Sequence, residues 1–160
     1  MTIQVGDRLP QATFRVMTAD GPAARTTDDI FKGRKVVLVA VPGAFTPTCH
    51  RNHLPGYVQR GAEIRAKGVD AIAVTAVNDV FVMDAWAKAS GGDDIEFLAD
   101  GNGDFAKAIG LTMDGSGFGL GTRSQRYSMV VDDGIVTAIN IEDGPGKADI
   151  SGAENLLKSL

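Results

Sequence analysis

Val36-Val37-Leu38-Val39-Ala40-Val41, stopped by Pro42-Gly43, is the stretch that decides the fold. It is rich in β-branched residues and shows no polar alternation. Such a run is a strand covered on both faces, as in the middle of an α/β sheet. Just beyond it Thr46-Pro47 opens a helix, with Thr46 as the N-cap and Pro47 at the first helical position. This helix is expected to reach about Ala66, with a kink or break near Pro55-Gly56.

Working outward, residues 69–77 read as a second buried strand. Asn78 is placed to cap a helix over 79–90, with Phe81, Ala85 and Trp86 on one face and Phe81, Met83 and Trp86 in the core. Residues 95–98 form a third strand, and Asp104 starts a short helix stopped by Gly110. A Gly-rich loop is expected over 111–123. Residues 126–131 and 135–141, joined by Asp133-Gly134, read as a hairpin. A last helix, begun by Ser151, covers 151–160, and Ala12 to Val16 adds a peripheral strand. The order βαβαβ followed by ββα predicts an α/β, thioredoxin-like fold: a central mixed β-sheet flanked by helices. With no linker, repeat or low-complexity segment, residues 1–160 are expected to form one domain.

A hydrophobic fraction of 44% and a charged fraction of 22% are those of a globular chain. The net charge of -4 argues against nucleic acid and anionic membranes as partners. The longest apolar run is too short to span a bilayer. The N-terminal residues lack the pattern of a signal peptide. One cysteine excludes an internal disulfide and suits a reducing compartment, so a cytoplasmic location is expected.

That cysteine is Cys49. With Thr46 as N-cap it falls at the third helical position, where free backbone N–H groups and the helix dipole favour an anion. A thiolate is that anion. The turn also follows the C-terminal end of a central strand, where open α/β sheets hold their ligands. A reactive thiol is the reading these features support over a cysteine that merely fills the strand–helix joint. Thr46 can cap the helix or meet a substrate oxygen. Pro42 can end the strand or narrow the pocket around the thiol. His50 and His53 with Cys49 spell C-H-x-x-H, but neighbours on one helical turn make a poor tetrahedral set. Neither a metal nor a cofactor is expected, and His53 is expected to pack or hydrogen-bond beside the site. Phe45 and Phe118 are candidates for core edges or interface anchors.

The segment Pro42-Gly43-Ala44-Phe45-Thr46-Pro47-Thr48-Cys49 resembles the Pro-x-x-x-Thr-x-x-Cys active site of the peroxiredoxins. His53-Leu54-Pro55-Gly56-Tyr57, residues 77–83 and residues 123–129 are similar to the five-type subfamily. The resemblance implies a peroxidase with Cys49 as peroxidatic thiol, Thr46, Pro42 and Arg126 completing the site, and a homodimer. Arg123 is the rival arginine, read as a support or pocket-rim residue. Some relatives carry a resolving cysteine before the last helix. The corresponding loop here, 143–153, has none, so an oxidised Cys49 would be cleared by an external thiol such as glutathione, glutaredoxin or thioredoxin. Two other readings on the same fold are a thiol–disulfide exchange protein and a non-enzymatic redox-sensing module. The first is disfavoured because position 46 of a would-be C-x-x-C is Thr.

Overall fold

The 36–41 run forms strand β3, Lys35–Ala40, at the heart of the molecule. The computed structural model describes residues 2–144 and 146–160. Around β3 lie β1 (Thr13–Thr18), β2 (Gly21–Thr26), β4 (Ala71–Ala76), β5 (Glu96–Ala99), β8 (Tyr127–Asp132) and β9 (Ile135–Ile141) in one sheet of order β2-β1-β5-β4-β3-β8-β9. β3 is parallel to β4 and antiparallel to β8, so the sheet is mixed. Alternate residues of β3 enter two separate cores. Val37 and Val39 pack with Tyr57, Ile64, Trp86 and Leu156 on one face. Val36, Leu38 and Ala40 pack with Phe14, Ile30, Phe31 and Phe105 on the other. Fully burying each Val or Leu on such a strand is worth ~1.5–3 kcal/mol, which is why no polar residue interrupts the run.

Helices α2 (Leu54–Ala66), α3 (Val80–Ser90) and α5 (Ala153–Leu157) supply the first core; α1 (Thr27–Phe31) and α4 (Asp104–Ala108) supply the second. Among the described residues no helix is long and apolar enough to cross a membrane.

Several expectations are corrected. Residues 21–31 form β2 and α1, which composition did not announce; α1 is started by a capping box between Thr26 and Asp29. The N-cap of α3 is Asp79, whose Oδ1 accepts from the Val82 N–H at 2.8 Å, not Asn78. The buried face of α3 is Val80, Met83 and Trp86, while Phe81 is 65% exposed. Spacing explains this: Val80, Met83 and Trp86 recur every three residues along one face, and Phe81 is turned about 100° from Val80 and about 200° from Met83 around the helix. Within the expected 111–123 loop, β6 (Thr112–Asp114) and β7 (Thr122–Ser124) pair as a small separate sheet. The last helix starts at Ala153 with Gly152 as its cap, two residues later than expected, because Ser151 is held elsewhere.

The expected irregularity near Pro55 is present one turn earlier. Residues Cys49–His53 are π-helical, and the Leu54 N–H donates to the Cys49 carbonyl five residues back. Pro55 has no N–H for the Arg51 carbonyl, and its ring would crowd that group in a regular α-turn. The wider π turn accommodates it.

Candidate active site

Cys49 is built from the loop that leaves β3. Thr46 occupies the N-cap position through its carbonyl, which accepts the His50 N–H at 2.8 Å. Its hydroxyl does not cap the helix. It donates to the Gly43 carbonyl at 2.7 Å, and a hydroxyl so engaged has lone pairs with which to accept from a substrate. Gly43 is closely packed here: a Cβ on it would lie 3.0 Å from Thr46 Cγ2, so the threonine would have to give by a few tenths of an ångström. Phe45 adopts φ 64°, a left-handed conformation that costs a non-glycine residue roughly 1–2 kcal/mol. Its ring sits against His50 and Trp86, at centroid distances of 5.6 and 6.4 Å. Asn78, expected to cap α3, instead accepts the Ala44 N–H at 2.9 Å and ties this loop to the end of β4. Pro42 is buried beneath it.

Arg126 reaches the site from the start of β8. The β3–β8 register pairs Ala40 with Tyr127, so Arg126 lies beside the last turn of chain before the Cys49 loop. Its Nη2 donates to Cys49 Sγ at 2.8 Å across 77 residues of sequence. Cys49 is 0% exposed and Arg126 2%. In so dry a setting a charge-assisted hydrogen bond of this kind is stronger than the same bond in water. Arg123 does not approach the sulfur; its Nε and Nη1 donate to the carbonyls of Leu120 (2.9 Å) and Val77 (3.1 Å). It braces the loop behind Gly43, as expected of a supporting residue.

His53 is the partner of Arg126 on its other arm, with Nη1 to His53 Nδ1 at 2.8 Å. His53 Nε2 lies 3.0 Å from the Ser151 carbonyl, which also accepts from the Tyr57 hydroxyl. Burial, then the neighbouring Arg126 charge, push His53 down to about 4, against the upward pull of its bond to Ser151. His53 is therefore neutral at pH 7. Burial likewise pushes the Tyr57 phenol well above its usual value. His50 turns away from the sulfur and accepts from the Trp86 indole N–H at 3.0 Å. Sequence reasoning placed Asn78 and Ser151 only at helix starts and gave no role to Glu142; the partners that Asn78 and Ser151 take in the structure are distant in the chain, and no local pattern marks them.

The site thus has a buried sulfur facing a fixed cation, with a hydroxyl nearby on the same loop. It can hold an anion at sulfur and stabilise a second anion as it forms. Comparison with known proteins agrees with this chemistry. Residues 4–157 match the family model described as Redoxin. Over 99% of the chain and 73% of the relative, it is 50% identical to "Peroxiredoxin-2E-2, chloroplastic" of Oryza sativa subsp. japonica. It is 46% identical to "Peroxiredoxin sll1621" of Synechocystis, covering 85% of the chain and 77% of that relative. Among solved structures, reduced Prx3 of Vibrio vulnificus in complex with hydrogen peroxide superposes with a TM-score of 0.93 at 48% identity, covering 99% of this chain and 96% of that one. Peroxiredoxin 5 from Alvinella pompejana gives 0.87 at 34% identity, covering 98% and 97%.

Proposed function

The chain belongs to the peroxiredoxin family, in its five-type subfamily, and is a thiol-dependent peroxidase; on that premise we propose that Cys49 is its peroxidatic residue, reducing hydrogen peroxide and organic hydroperoxides. The observation that carries the assignment is the 2.8 Å bond from Arg126 to Cys49 Sγ in a buried site.

The Cys49 thiolate attacks one peroxide oxygen. The S–O bond forms as the O–O bond breaks, and the departing oxygen takes the electron pair. Arg126 stabilises that developing anion, which leaves as water or an alcohol once protonated. The Thr46 hydroxyl accepts a hydrogen bond from the peroxide O–H and orients the attack. Pro42 narrows the approach. Sulfur has lost two electrons and is now a sulfenic acid. An external thiol condenses with it, releasing water and forming a mixed disulfide; a second thiol restores Cys49 and leaves as the oxidised disulfide. Glutathione, glutaredoxin or thioredoxin would serve as reductant, in the cytoplasm. No resident cofactor takes part in this cycle. The family resemblance supports a homodimer.

The test is intact-mass spectrometry with turnover measurement. After one equivalent of peroxide the protein should gain one oxygen; with glutathione it should carry a mixed disulfide. Cys49→Ser should abolish turnover, since the chain has no other thiol. A dominant covalent dimer after peroxide, or turnover by the Cys49→Ser protein, would overturn the cycle.

A further inference from the structure

Glu142 follows β9 and is 7% exposed, yet it belongs to no motif. Its Oε2 accepts from both the backbone N–H (2.7 Å) and the hydroxyl (2.6 Å) of Ser151. This fixes Ser151 at the end of the 143–150 loop and presents its carbonyl to His53 Nε2 and the Tyr57 hydroxyl. A carbonyl can only accept, so His53 Nε2 must carry the proton. A guanidinium can only donate, so His53 Nδ1 must be bare to receive Arg126. Both ends of the imidazole demand the same tautomer. Either alternative, the Nδ1–H tautomer or the imidazolium, would set N–H against N–H and turn Arg126 away from the sulfur.

We propose that Glu142 is a positioning residue for the peroxidase reaction: by pinning Ser151 it locks His53 in the Nε2–H tautomer, and His53 Nδ1 then aims Arg126 at Cys49. The path runs from the carboxylate through Ser151, His53 and Arg126 to Sγ, four hydrogen-bonded links joining the end of β9, the loop before α5, the π turn and the start of β8. All five residues are buried. Burial and the Arg126 charge push His53 down against the upward pull of its bond to Ser151, in keeping with a neutral imidazole facing Arg126. The inference rests on Cys49 and Arg126 acting as proposed above.

The test pairs a spectroscopic with a kinetic readout in Glu142→Gln, Glu142→Asp and Glu142→Ala. Long-range proton–nitrogen NMR reports the tautomer of each histidine. The chain has two, and His50, whose Nδ1 accepts from Trp86, is an internal control that should stay Nε2–H throughout. The second readout is the single-turnover rate of Cys49 oxidation by hydrogen peroxide. A glutamine oxygen can accept both Ser151 donors, so Glu142→Gln should rescue both the tautomer and the rate. The aspartate is a methylene short and should give mixed tautomers and a slower rate. The alanine should lose about tenfold in rate, as expected for losing the aim of one charged hydrogen bond. Rate and Nε2–H fraction should fall together. A glutamine variant as slow as the aspartate, or a slowed variant whose His53 remains wholly Nε2–H, overturns the proposal. The Gln–Asp comparison decides even if the alanine protein does not fold. Were Cys49 not peroxidatic, the kinetics would fail for every variant while the tautomers still followed Glu142, so the two failures are distinct.

Discussion

Replacing Arg126 with alanine should slow the attack of Cys49 on peroxide by roughly 30- to 150-fold. The magnitude follows from the site. Arg126 donates to Sγ at 2.8 Å, and both residues are buried. A hydrogen bond to a charged group is worth ~1.5–3 kcal/mol, and in a dry site the upper part of that range applies. At ~1.4 kcal/mol per tenfold, 2–3 kcal/mol gives the stated range. Lysine in its place should recover part of the rate. It supplies a charge, but it lacks the planar fork that serves Sγ and His53 Nδ1 at once. Arg123→Ala is the control: its donors are spent on carbonyls, so its effect on attack should be smaller. The assay mixes reduced protein with peroxide, quenches at millisecond times with an alkylating reagent, and counts the remaining thiol by intact mass. Thermal melts of each variant check that the protein is folded at the assay temperature. A folded Arg126→Ala protein within threefold of the parent, or an Arg123→Ala protein that is slower still, would refute the choice of arginine and the role given to its charge.

Thr46→Val should retain the fold but lose about tenfold in the same quenched assay, because the hydroxyl that would orient the peroxide is gone; an unchanged rate would reduce Thr46 to a loop residue. Acid should destabilise the protein through His53. Unfolding frees it to take up a proton at its ordinary 6.5, whereas the native state refuses one until about 4. The contribution of His53 to stability is therefore complete above pH 6.5 and is lost as the pH falls towards 4. It amounts to about 3 kcal/mol at ~1.4 kcal/mol per unit. The difference in chemical-denaturation stability between the parent and His53→Gln, measured from pH 7 to pH 4.5, isolates it; a difference that does not vary with pH would show that His53 is not held neutral.

The local chemistry of the site was legible because its signals are local. A short apolar run rich in β-branched residues and stopped by Pro-Gly reads as a strand buried on both faces, and β3 divides its side chains between two cores. Thr46-Pro47 opens the helix where expected, and Cys49 falls in its first turn whatever surrounds it. The misreading of the α3 cap concerned side chains with two possible partners. Asn78 and Asp79 both suit a cap; Asp79 takes the role because Asn78 is claimed by the Ala44 N–H, 34 residues away. Phe81 looked like core, but the buried face runs through Val80, Met83 and Trp86 and leaves it outside. The 21–31 segment forms β2 and α1 because β1 offers an open edge, which no window of sequence reveals.

The sequence by itself determined the fold class and the helix-end setting of Cys49, since these depend on propensity, capping and burial within a few residues of each other. Only the tertiary structure decided which groups face that thiol. Arg126 meets Cys49 because β8 pairs antiparallel with β3 in a register that sets Tyr127 opposite Ala40. His53, Ser151 and Glu142 then line up behind it, through bonds spanning 73, 98 and 9 residues. Such contacts form when sheet order and helix packing bring distant segments together, and that outcome depends on burying both faces of β3 at once rather than on any residue's own preference.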